Sequence, residues 1–97
     1  MAKSVWKFPV SLGGFSTRMP VGSEVLTVQV QELVGPCMWA LVDPEAEEEV
    51  RVFVVVGTGH PVADEISAFD YIDTFQIHGG QLVWHLFERR TESEGEP

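Results

Sequence analysis

Hydrophobic and polar residues alternate with a period of two along most of this chain, and no stretch carries the three-to-four spacing of a long helix. In VWKFPV (5–10) the alternation places Trp6, Phe8 and Val10 on one face. Pro9 has no N–H to give a ladder, so this stretch reads as an edge strand or a bulge. VLTVQVQ (25–31) is the clearest half-buried strand, with Leu26, Val28 and Val30 inward and Thr27, Gln29 and Gln31 outward. CMWALV (37–42) is apolar on both faces, as in a strand covered on both sides or curling into a barrel. VRVFVVV (50–56) is nearly continuous in the same way.

Between these runs the chain turns. LGGFSTRMPVGSE (12–24) reads as a turn-rich connection, DPEAEEE (43–49) as an acidic turn opened by Asp-Pro, and ADEISAFDY (63–71) as room for one short helical turn. YIDTFQIHGGQLVWHLFE (71–88) gives the strongest local signal: two glycines between alternating strands specify a two-residue hairpin turn, because both can take positive φ. That register pairs His78 with Gln81, Ile77 with Leu82, Phe75 with Trp84 and Ile72 with Phe87, and sets His85 opposite Thr74. The predicted architecture is a single all-β domain over residues 1–88, a small antiparallel barrel or sandwich of about five to six strands. Residues 89–97 read as a polar tail, expected to be disordered.

Ninety-seven residues suit one domain, and 44% apolar residues spread along the chain suit one core. The longest unbroken apolar run, Val52–Val56, is far too short to span a membrane. The opening MAKSVWKFPV lacks the apolar stretch of a signal peptide, so a cytoplasmic location is expected. Cys37 is the single cysteine, which excludes an internal disulfide and a thiolate metal cluster; in PCMWALV it reads as a buried thiol. The formal charge is −9. Ahead of residue 88 the basic side chains are Lys3, Lys7, Arg18 and Arg51, which argues against direct nucleic-acid binding and in favour of a basic protein surface as partner.

At VQVQ, PCMWALVDP, VVGTGHPV and TFQIHGGQLVWHLFE the chain resembles a family of short bacteriophage and prophage proteins, a domain of unknown function. The likeness runs over roughly residues 3 to 88, with SLGGFSTRMP (11–20) departing from the family's more polar wording. It implies a phage or mobile-element origin and carries no catalytic residues across.

The candidate sites each have a structural alternative. Gly57-Thr58-Gly59-His60-Pro61 reads as an anion cradle, with backbone N–H groups, the Thr58 hydroxyl and the His60 ring facing a phosphate while Trp39 or Trp84 stacks a base. It is neither the Walker spacing nor G-x-G-x-x-G, and the same residues serve equally to end a strand. His78 and His85 lie roughly 13 Å apart along the predicted hairpin, too far to share one ion, so no metal or other cofactor is expected. Glu45, Glu47, Glu48 and Glu49 read as a partner-binding acidic surface or as a solvated tip that discourages edge pairing. At least two of Trp6, Trp39 and Trp84 are expected in the core. No nucleophile or carboxylate pair stands at a readable spacing, so no enzymatic activity is expected. The leading expectation is a binding protein that inhibits a host defence protein through an acidic surface. A nucleotide-sequestering protein and a minor virion or assembly component are the alternatives, and oligomeric state stays open.

Overall fold

The computed structural model describes residues 2–90. Seven strands follow in order: β1 Ser4–Pro9, β2 Gly13–Pro20, β3 Glu24–Gln31, β4 Gly35–Val42, β5 Glu48–Gly57, β6 Phe69–Ile77 and β7 Leu82–Arg89, with a 3-10 segment Asp64–Ala68 before β6. They form two antiparallel sheets, ordered β1-β4-β3 and β2-β5-β7-β6, and no barrel closes among the described residues. β4 lies at the centre of the first sheet, with Trp39 and Leu41 half-buried on its second face, and β1 with its Pro9 lies at an edge, one of the two positions its proline allows.

The core is shared. Phe8, Val10, Val28, Met38, Ala40 and Val42 come from the first sheet and its connections; Met19, Phe53, Val55, Phe75 and Leu86 come from the second. Phe15 stacks on Phe53 with ring centroids 5.2 Å apart. Each fully buried side chain of this size contributes about 1.5–3 kcal/mol of burial free energy. Of the three tryptophans, only Trp84 packs against this core; Trp6 sits exposed on edge strand β1, and Trp39 faces away from the buried Met38 and Ala40. The expectation of two core tryptophans is therefore corrected: strand alternation turns Trp39 outward because its neighbours on β4 turn inward.

Three further expectations change. The connection over 12–24 contains β2, whose Phe15 and Met19 face inward. Its turn-like residues sit at the strand ends: Gly13 has φ +80° and Pro20 closes an edge strand, where a missing N–H is harmless. In β3 a bulge between Val25 and Thr27 adds one residue, which reverses the alternation ahead of it. Val25 then packs against the core while Leu26 is 49% exposed. In the β6–β7 hairpin, Ile77–Leu82, Phe75–Trp84 and Thr74–His85 pair as expected, and Gly79 and Gly80 take φ +65° and +95°. A second bulge around Ile72 then makes Tyr71, not Ile72, the partner of Phe87. The 3-10 segment supplies the expected short helical turn.

Arg89 and Arg90, expected in the tail, belong to the body: Arg89 ends β7, and Arg90 donates from its backbone N–H to Ala68 O and from Nη1 to Asp70 Oδ1. The rest of the expected tail, 91–97, lies outside the described residues. Cys37 is buried. Among the described residues no helix is long and apolar enough to cross a membrane.

Two polar links cross between the sheets and their connections. Asp73 Oδ2 on β6 accepts from Val28 N (2.8 Å) and Thr27 Oγ1 (3.1 Å) on β3. Arg51 on β5 forms a two-pronged pair with Glu88 on β7 and donates through Nη1 to Ser23 O, 2.6 Å, in the β2–β3 turn. The hydrogen bond to Glu88 raises the Arg51 pKa above its usual value against the opposing effect of burial. Both side chains are nearly enclosed, at 11% and 13% exposure. Glu88→Ala, which strands the Arg51 charge, is expected to cost about 3 kcal/mol in urea unfolding, and the double replacement Arg51→Met with Glu88→Leu considerably less.

Candidate functional site

β5 runs between β2 and β7, and its residues alternate strictly: Phe53, Val55 and Gly57 face the core side while Val52, Val54 and Val56 face out. The pairing continues one step past the strand, where Thr58 N donates to Val83 O at 3.1 Å. Thr58 therefore turns outward. Its Oγ1 lies 2.7 Å from His85 Nε2 and 3.3 Å from Val83 O. His85 Nδ1 lies 3.0 Å from Thr74 Oγ1, which lies 2.8 Å from Tyr71 Oη. A hydrogen-bonded chain of four side chains thus crosses the outer face from β5 to β6.

His60 goes the other way. Its ring folds back over Gly57, where an added Cβ would stand 2.8 Å from Nδ1 and Cε1, and meets Trp84 edge-on at 5.8 Å between centroids. Gly57, Thr58, His60 and Trp84 line one half-open cavity of about 290 Å³ with Gln81, Leu82 and Val83. Gly59, with φ +82°, and Pro61 complete an exposed turn directly after a central strand. Trp39 stands in the other sheet, facing away from the core, and does not join this group. The Trp84 indole N–H is buried without an acceptor among the described residues. It lies on the edge of the ring opposite Cζ3, the atom nearest Gly57.

This geometry limits the chemistry. A phosphate cradle needs free N–H groups, yet Thr58 N is committed to Val83 O and His60 N to Gly57 O, 3.1 Å. Thr58, His85 and Thr74 stand in the order of nucleophile, base and orienting group. The orienting group is a hydroxyl, which holds the ring but offers no negative charge to offset an imidazolium. His60 and His85 stand on opposite faces of the sheet, and no three His, Cys, Asp or Glu side chains come together as a metal site among the described residues.

The acidic run does not form one surface. Glu45 and Glu47 lie exposed on the turn, where Glu45 N donates to Asp43 Oδ1. Glu48 lies 3.5 Å from Arg18, while Glu49 lines a polar groove with Arg51, Asp70 and Glu88. The alternation of β5 sends Glu48 and Glu49 to opposite faces.

A family model, that of a domain of unknown function (DUF7352), matches residues 1–96. The chain belongs to this family. No curated protein and no solved structure matches it.

The feature of this DUF7352 chain that sequence reading missed is the outer face of the four-stranded sheet. Val50, Val52, Val54 and Val56 form a stripe along β5, flanked by Phe87 opposite Val54. Tyr71, 56% exposed, meets Phe87 edge-on at 5.8 Å. A sheet with one face on the core ordinarily presents polar side chains on the other. The signal was present in the unbroken run Val52–Val56, which reads equally as a strand covered on both sides. Between this stripe and the 3-10 segment lies a half-open cavity of about 480 Å³, walled by Val54, Val56, Val62, Ala63, Ile66 and Phe69.

Gly59→Val is expected to cost about 2 kcal/mol, because a β-branched residue fits poorly at positive φ, and Gly59→Asn distinctly less; thermal unfolding compares the two. His60→Ala is expected to lose only about 0.5–1 kcal/mol, the worth of its edge contact with Trp84, and to leave binding intact. Gly57→Ala should push the His60 ring off Trp84, seen as a change in tryptophan fluorescence.

Proposed function

We propose that the protein is a non-enzymatic binding protein that docks a protein partner on the outer face of its four-stranded sheet. The valine stripe of β5 carries this reading: Val50 is 52% exposed, Val52, Val54 and Val56 are half-buried, and no element of the chain covers the Val50–Val52 end among the described residues. An apolar patch left open in this way marks an interaction surface. Glu48 continues the same row, and Glu45 and Glu47 stand on the turn just before it. The complementary partner has an apolar ridge beside basic side chains, and the net charge of −9 favours its approach. A phage or prophage origin, which the resemblance implies, would make a host defence protein the first partner to try, with a cytoplasmic site of action. In this reading the two sheets form a small open sandwich that holds the face flat.

The nucleotide-sequestering alternative loses weight, since the turn commits two of its N–H groups internally and Trp39 stands elsewhere. A virion role gains no particular observation.

Pull-down from a bacterial host at low salt tests the proposal. Val50→Lys with Val52→Asp is expected to abolish capture of a specific partner. Charge reversal at Glu45, Glu47 and Glu48 is expected to slow association and flatten its salt dependence. Capture that survives the valine substitutions, or that is lost equally on changing Gln29 and Gln31 of the other sheet, would refute the reading.

A further inference from the structure

The cavity beneath the 3-10 segment has the form of a ligand site in its own right. The connection from β5 to β6 stands off the sheet: none of the residues of the 3-10 segment is buried, its apolar Ile66 included, and Val62 just ahead of it is exposed. The segment is held at its far end by Arg90, which donates to Ser67 O and Ala68 O, so it bridges the sheet without packing into it. The space left below, about 480 Å³, falls in the range of small-molecule sites, and its floor and roof are valine, isoleucine, alanine and phenylalanine side chains.

Two charged residues reach this cavity, Glu65 and Arg89. Arg18, Arg51 and Arg90 each have a carboxylate at ion-pair distance, whereas Arg89 has none among the described residues. Arg89 also borders the polar groove of Glu49, Asp70 and Glu88, but with no carboxylate at ion-pair distance among the described residues its guanidinium, at the edge of an apolar slot, selects a ligand with an apolar body and one anionic oxygen pair. The geometry points to an aliphatic carboxylate as the ligand, its chain lying between Val54, Val56 and Ile66 and its head on Arg89. Glu65 at the same rim then disfavours a second negative charge, so a monoanion is chosen over a dianion.

The site adjoins the docking face proposed above and shares Val54 and Val56 with it, but the open end of that face lies toward Val50 and Glu48, so substitutions at Val50 and at Arg89 separate the two readings. Isothermal titration with decanoate below its micelle concentration is the test, with decylammonium and decanol as controls. Decanoate is expected to bind saturably at one site per chain and decylammonium not at all. Arg89→Ala should weaken decanoate by about tenfold, the loss of one charge-assisted contact, while decanol binding stays nearly unchanged. Ala63→Phe, which fills the slot from its exposed roof, should abolish both, with circular dichroism showing that each variant keeps its fold. Absence of saturable decanoate binding, equal binding of decylammonium, or full decanoate affinity in either variant overturns the proposal. Val50→Lys, which addresses the docking face, is expected to leave decanoate binding unaltered.

Discussion

Successive residues of a strand face opposite sides, and in β5 that constraint acts at the middle of the larger sheet. Phe53 and Val55 are buried between the two sheets, so Val52, Val54 and Val56 must face away from the core. The same alternation carries past the strand end. It turns Thr58 outward toward His85, leaves Gly57 inward as the space the His60 ring occupies, and divides Glu48 from Glu49. The outward valine face, the rim cavity and the dispersal of the acidic run are consequences of one registration of one strand.

That registration is held by interactions of two kinds. Apolar burial draws the sheets together without fixing how they slide, since hydrophobic attraction is non-directional. Direction comes from polar contacts: Asp73 caps Val28 N and Thr27 Oγ1 across the β3–β6 junction, and Arg51 ties Glu88 to the β2–β3 turn through Ser23 O. Both bulges fall close to this junction in sequence, one at Val25–Thr27 and one at Tyr71–Asp73. Each bulge directly precedes one of the polar side chains of this junction, Thr27 or Asp73.

Much of the fold was legible in the residues. The hairpin register from Thr74 to His85 followed from the glycine pair, and the edge position of β1 from Pro9. β2 was hidden because Gly13, Gly14 and Pro20 carry turn signals, although Phe15, Thr17 and Met19 keep the alternation between them. Leu26 was misplaced because an alternating pattern does not announce where a bulge will interrupt it. Of the candidate site, the exposed turn at Gly57–Pro61 was legible, as was the opposition of His85 to Thr74. The approach of Thr58 to His85, 27 positions away, was not, since it depends on β5 pairing with β7.

The chain by itself determined its all-β character, its turns and the apolar surplus on β5, because these follow from local periodicity and from backbone preferences of glycine and proline. Which face of β5 meets the core, which strands become neighbours and what remains uncovered were decided only by tertiary structure. An unbroken apolar run satisfies either assignment equally well, so the choice falls to residues far away, Met19, Phe75 and Leu86, whose burial with Phe53 and Val55 leaves the other valines facing outward.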